Sequence, residues 1–161
     1  MYNYDLIDHI DTRIKEPKSI VKKMETKKYD KTYLNLIEKI NDIAGIRIVC
    51  TLKDDIFFIR DLVKQIPDIH VLKEKDYVTN PKESGYSSYH MIVEVPVKLT
   101  QKTIYVKCEI QIRTLAMDFW ASFEHKVKYK TKNDVNPKMS KELVSCAKMI
   151  NKFDTKMINY K

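Results

Sequence analysis

The sequence predicts an α+β fold, a β-sheet flanked by helices, and three observations carry that prediction. Residues 104–113, IYVKCEIQIR, alternate strictly: Ile104, Val106, Cys108, Ile110 and Ile112 are apolar, whereas Lys107, Glu109, Gln111 and Arg113 are polar. This is the period of a strand with one buried face. Residues 89–95 repeat the pattern, with Tyr89, Met91, Val93 and Val95 set against His90, Ile92 and Glu94. The remaining long segments place apolar residues three and four apart, the spacing of amphipathic helices. Two neighbouring strands that present Glu109, Gln111, Arg113 and His90 offer a platform for a site. A sheet whose outer face is simply solvated would show the same alternation.

Taken in order, residues 1–12 carry Asp5, Asp8 and Asp11 at intervals of three, and no element is read there. Pro17 suits the first turn of a helix. That helix has Ile20, Val21 and Met24 as its apolar stripe, and Ser19 and Lys23, four apart, share another face. Arg13 and Lys15 lie in a stretch that precedes proline and is expected to be extended, so they point the same way and join Lys23 in a cationic cluster. A solvated basic surface is the alternative. Tyr33, Leu36, Ile37, Ile40 and Ala44 have helical spacing that ends near residues 42–45, and residues 46–52, IRIVCTL, read as a strand. Asp42 therefore falls at a helix-to-strand junction with Arg47 just beyond. Such connections gather functional groups, and an Asp42–Arg47 ion pair is the structural alternative.

Asp54 and Asp55 open the next helix and complement its dipole, with Ile56, Ile59, Leu62, Val63 and Ile66 inward and Pro67 as the stop. A brief strand at 69–72 leads into a loop holding Lys75, Lys82, Gly85 and Tyr86, with Asn80-Pro81 as turn chemistry. Tyr86 suits stacking on a base whose phosphates the lysines hold, and equally suits packing at a strand start. Thr114 caps a helix running to about residue 128, with Leu115, Phe119 and Phe123 as its core stripe and Trp120 and Glu124 on a second face. From Pro137, the residues Leu143, Ala147, Ile150, Phe153 and Met157 mark a long amphipathic helix that packs on the domain or on another subunit.

The 161 residues are read as one domain, 1–161, with a C-terminal helix from about 137. A hydrophobic content of 43% and a charged content of 32% describe a soluble globular protein. No apolar run approaches the roughly 18 residues of a membrane span, and no signal-peptide pattern opens the chain. Cys50, Cys108 and Cys146 are an odd count without metal-ligand spacing, so buried thiols in a reducing cytoplasm are expected. A net charge of +8 favours anionic partners: nucleotides, nucleic acids or membrane surfaces. Only Gly45 and Gly85 occur, which excludes a glycine-rich phosphate loop. Bound phosphates must therefore be held mostly by side-chain cations.

Several pieces, read together, resemble the synthetase domain of the RelA/SpoT family, specifically its small single-domain alarmone synthetases. They are Arg13-x-Lys15 with Ser19 and Lys23, residues 42–47 (DIAGIR), 75–77 (KDY), 81–90 (PKESGYSSYH), 109–114 (EIQIRT) and 116–125 (AMDFWASFEH). Their order along residues 13–125 is what makes the resemblance specific. Ser87 stands where many relatives carry a basic residue, and Ser84 where long members tend to have asparagine. No His-Asp dipeptide of the family's hydrolase half is present, and the stretch before Arg13 is short for the family, as if a helix were missing.

The resemblance implies a mixed sheet flanked by helices, related to nucleotidyltransferases, and Mg²⁺-dependent transfer of pyrophosphate from ATP to the 3′-hydroxyl of GDP or GTP. It implies that Arg13 and Arg47 bracket the adenine, while Lys15, Ser19 and Lys23 hold the ATP phosphates. Asp42 would bind Mg²⁺, and Glu109 would hold the metal or accept the hydroxyl proton. Tyr86 would stack on guanine near Lys75, Lys82 and His90, with Gln111 and Glu124 supporting the site. A homotetramer assembled through terminal helices is also implied. The competing readings are the same chemistry on an adenine nucleotide or a tRNA 3′ end, and a nucleotide- or RNA-binding module without turnover.

Overall fold

The computed structural model describes residues 4–130 and 136–160. Its five strands are β1 (Ile7–Ile14), β2 (Ala44–Cys50), β3 (His70–Asp76), β4 (Tyr89–Lys98) and β5 (Thr103–Thr114). They form one sheet in the order β1-β2-β5-β4-β3. Strands β2 and β5 run parallel and the other three pairings are antiparallel, so the sheet is mixed. The helices are α1 (Pro17–Thr26), α2 (Tyr33–Lys39), α3 (Lys53–Lys64), α4 (Leu115–Lys130) and α5 (Pro137–Met157). Among the described residues, no helix is long and apolar enough to cross a membrane.

Alternation in the central strands decides which face is core. Cys108, Ile110 and Ile112 of β5 bury beside Tyr89, Met91 and Val93 of β4 and Ile48 and Cys50 of β2, and α3 covers them with Ile56, Ile59 and Val63. Each large aliphatic side chain buried this way contributes about 1.5–3 kcal/mol, so the opposite face of the sheet is left free to carry polar groups. The start of α3 is fixed by Asp55, whose carboxylate accepts the Leu52 N–H at 3.0 Å and the Tyr4 hydroxyl at 2.9 Å.

Several expectations are corrected. Strand β1 begins within residues 1–12, where the sequence predicts no element, and ends in the stretch expected to be extended; all its residues are exposed, so it has no hydrophobic alternation, and its ladder to β2 holds it at the sheet edge. Helix α2 ends at Lys39, Ile40 is already extended, and Ala44 belongs to β2. Tyr33 and Ile37 are exposed, leaving Ile40 as the fully buried member of that stripe. Leu62 and Ile66 are also exposed, because the sheet meets α3 along a narrower line than its apolar stripe. Strand β3 runs on to Asp76, which makes Lys75 a strand residue rather than a loop residue.

The face of α4 is inverted. Leu115, Phe119 and Phe123 are exposed, while Met117, Trp120, Ala121 and Glu124 are buried. Trp120 and Ala121 pack against Leu143 and Ala147 of α5, and the Trp120 indole donates to the Leu143 carbonyl at 3.1 Å. Phe153 of α5 is exposed, and so is Cys146, whereas Cys50 and Cys108 are buried.

Thr114 joins three elements. Its hydroxyl oxygen accepts the Met117 N–H at 3.1 Å, capping α4, and its O–H donates to Asp154 Oδ2 of α5 at 2.7 Å. Burial pushes the Asp154 carboxyl above its ordinary range; the Thr114 hydrogen bond and the Lys53 charge offset this only partly. A raised folded-state pKa favours the folded state below the unfolded pKa and loses that contribution as pH rises through the folded value. Asp154→Asn keeps an acceptor for Thr114 and removes a buried charge, so it is expected to raise Tm near neutral pH by about 2–4 °C. Thermal melts across pH should show the gap closing in acid; a lower Tm at neutral pH would contradict this account.

Candidate active site

Strand register builds the polar face in rows. Arg13, Gly45, Glu109, Ile92 and Lys73 lie opposite one another across β1, β2, β5, β4 and β3, and Asp11, Arg47, Gln111, His90 and Lys75 form the adjacent row. Among the described residues, a smaller and a larger cavity open on this face. The smaller one, about 100 Å³, is lined by Arg13, Arg47, Gln111 and Glu109 beside the backbone of Gly45. The larger one, about 340 Å³, is lined by Lys23, Asp42, Lys75, Lys82, His90 and Glu109, together with Asn41, Lys73, Tyr77 and Ile92. Glu109 belongs to both, and Gly45 leaves room beside it, since a side chain there would crowd Arg13.

Asp42 is held at the β2 entrance between two ammonium groups, Lys15 Nζ at 2.9 Å from Oδ2 and Lys23 Nζ at 2.8 Å from Oδ1. The Lys15 contact is an aligned hydrogen bond; the Lys23 contact is a charge contact that leaves the buried Oδ1 without an aligned donor. Burial alone would raise the Asp42 pKa, but Lys23 and Lys15 outweigh it and hold the carboxyl below its ordinary range. Arg47 pairs with Asp118 at 3.4 Å, not with Asp42, because Asp42 lies before the strand and is already met by α1.

Glu109 Oε2 accepts the Gln111 amide N–H at 3.1 Å, while His90 Nδ1 stands 3.4 Å from Oε1 and Arg13 Nη2 4.0 Å from Oε2 as charge contacts. His90 is the main cause of its lowered pKa, Gln111 adds to it, and burial and the Asp42 charge oppose. Both acids are thus carboxylates at neutral pH. Among the described residues, no cluster of three metal-ligating side chains occurs. Two carboxylates facing one cavity, one of them with a buried oxygen lacking an aligned donor, suit Mg²⁺, which takes few protein ligands and completes its shell with phosphate and water.

Lys82 sits 4.7 Å from the ring centroids of both Tyr77 and Tyr86, and Lys75 is 5.9 Å from that of Tyr77. Tyr86 packs partly against the Trp120 cluster and lines neither cavity, which accords with packing at a strand start. Gly85 beside it has φ +90° and faces Ala147 closely, leaving no room for a side chain. Ser19 is exposed on α1 and lines neither cavity. Glu124 is not brought to the site: it pairs with Lys128 one turn along α4, on the face turned toward α5. Sequence reading gives no role to Asn41, Lys73, Tyr77 and Asp118, and it sets Arg113 on the presented face of the strand, whereas Arg113 is buried. The first three stand at strand ends or on a weakly patterned strand. Arg113 continued the alternation of β5 but carried no sign that it would be buried.

A mixed sheet whose polar face sets two carboxylates among arginines and lysines defines an enzyme of nucleotide phosphate chemistry. The chain belongs to the RelA/SpoT family: the family model described as the region found in RelA / SpoT proteins matches residues 12–134, and the chain is a small alarmone synthetase. It is 44% identical over 161 residues to the GTP pyrophosphokinase YwaC of Bacillus subtilis, covering all of this chain and 77% of that protein. It superposes on the crystal structure of small alarmone synthetase 2 from Bacillus subtilis with TM-score 0.89 and 44% identity, covering 98% of this chain and 82% of the other. Small alarmone synthetase 1 from the same organism, bound to its product pppGpp, gives TM-score 0.87 at 36% identity, covering 96% and 78%.

Proposed function

We infer that the chain is a GTP pyrophosphokinase that makes ppGpp or pppGpp from ATP and GDP or GTP. The observation that carries the reading is Glu109 standing as a wall common to two cavities, one rich in arginine and one rich in lysine. ATP would place its adenine between Arg13 and Arg47, and its phosphates against Lys15, Ser19 and Lys23. The acceptor would stack its guanine on Tyr86 and use Lys75, Lys82 and His90. Its 3′-oxygen attacks the β-phosphorus of ATP, the bond from that phosphorus to the oxygen bridging the α-phosphate breaks, AMP leaves, and the hydroxyl proton passes to a Glu109 oxygen. Mg²⁺ held by Asp42 and Glu109 would neutralise charge on the transferring phosphates. Positioning and charge neutralisation dominate such transfers, which accords with a site built from cations and two acids.

The homotetramer implied by the resemblance would draw on the outer face of α5, where Met149 and Phe153 are exposed. Incubation with ATP labelled at the β- or γ-phosphate, Mg²⁺ and GDP, GTP, ADP or tRNA in parallel tests the reading. Label is expected in ppGpp and pppGpp. Label confined to an adenine nucleotide or an RNA end would overturn the acceptor assignment, and tight binding without product would overturn catalysis.

A further inference from the structure

Both donors that reach Glu109 trace back to a single buried guanidinium. Arg113 is 5% exposed, and its Nη2 donates to the Tyr86 hydroxyl at 2.6 Å and to Gln111 Oε1 at 2.8 Å. Tyr86 meets His90 Nε2 at 2.8 Å, and His90 Nδ1 lies 3.4 Å from Glu109 Oε1. On the other arm, Gln111 Nε2 donates to Glu109 Oε2 at 3.1 Å. The five side chains close a ring with Arg113 at one pole and Glu109 at the other.

The poles fix every direction in between. Arginine can only donate and a carboxylate can only accept. Facing a carboxylate that can only accept, neutral His90 is suited to carry its proton on Nδ1. Its bare Nε2 then accepts the Tyr86 proton while the Tyr86 oxygen accepts from Arg113. Because Gln111 Oε1 accepts from Arg113, its NH₂ is turned toward Glu109. Asp118, 3.1 Å from Arg113 Nη1, balances the buried charge and fixes the orientation of the fork.

We propose that Arg113 is a positioning residue that sets the donor polarity of both groups on Glu109, and that the hydroxyl of Tyr86, separately from its ring, transmits one half of that setting. This rests on the reaction proposed above for its catalytic consequence, though not for its structural one. A ring serving only to stack a base would need no hydroxyl, and phenylalanine would replace it without loss.

The test uses histidine labelled with ¹⁵N in the unliganded protein, at a pH where imidazole is neutral, with His90 signals assigned by their disappearance in His90→Gln. In the unaltered chain, His90 Nε2 is expected in the unprotonated range and Nδ1 in the protonated range. Tyr86→Phe, which keeps the ring and its packing, and Arg113→Lys, which keeps the charge but loses the second nitrogen by which Asp118 orients the fork, are each expected to move the proton toward Nε2. Each is expected to lower kcat by about 10- to 100-fold, with the double variant little worse than Arg113→Lys alone. His90 protonated on Nε2 in the unaltered chain, or a tautomer and kcat indifferent to Tyr86→Phe, would overturn the proposal. The expected tautomer shifts in a chain that makes no alarmone would instead sink the proposed reaction and leave the role of Arg113 in orienting Glu109 standing.

Discussion

Glu109→Gln is expected to lower pyrophosphoryl transfer by about 10³-fold while donor and acceptor nucleotides still bind. The substitution preserves shape, so the walls of both cavities remain. It removes the negative charge that accepts the 3′-hydroxyl proton, and it also breaks the local hydrogen-bond logic. Both Glu109 oxygens now face donors, His90 Nδ1 and the Gln111 amide. An amide in that place must turn its own NH₂ toward one of them, setting donor against donor inside a partly buried site. Turnover with labelled ATP, alongside calorimetric titration of each nucleotide, separates the two effects. Transfer surviving within about tenfold of the original rate would remove Glu109 from the role of base.

The residues that announced the fold did so through burial on one side only. Strands β4 and β5 were legible because one face meets α3 and the other meets solvent or ligand, which writes a period of two into the sequence. Strand β1 has no buried face, so nothing in its sequence marks it; only backbone pairing to β2 reveals it. Helix α4 shows the opposite difficulty. Leu115, Phe119 and Phe123 make a good stripe, and Met117, Trp120 and Ala121 make another. Periodicity gives the angle of a stripe but does not say which side has a neighbour, and α5 chose the second.

The candidate site divides along similar lines. Asp42, Glu109 and the cations around them sit close to strand ends or in short motifs, so spacing and resemblance together found them. Arg113 is legible as a polar position of β5, but its burial and its pairing with Asp118 come only from geometry, because they lie in contacts made across the junction of β5 and α4. Tyr77 and Lys73 come from the edge strand β3 and the turn after it, where exposure erases pattern.

Asp42→Asn is expected to do two opposite things, and their combination is diagnostic. Lys15 and Lys23 are engaged with Asp42 at 2.9 and 2.8 Å. The same two ammonium groups are proposed to hold the ATP phosphates, so the carboxylate and the triphosphate compete for them. Removing the carboxylate's charge frees both lysines, each contact being worth on the order of 1 kcal/mol in a partly buried setting. Binding of ATP in the presence of EDTA should therefore tighten by about tenfold, equivalent to about 1.4 kcal/mol. Turnover should fall by about 100-fold or more, because one of the two acids suited to Mg²⁺ is lost and with it several kcal/mol of charge stabilisation. The dependence of ATP binding on added Mg²⁺ should flatten in the same variant, since the site no longer needs the ion to offset a carboxylate beside the phosphates. Calorimetry with and without Mg²⁺ reads both binding effects directly. Weaker metal-free ATP binding in Asp42→Asn would show that the lysines are held for the nucleotide by Asp42 rather than withheld from it, and the competition argued here would be wrong.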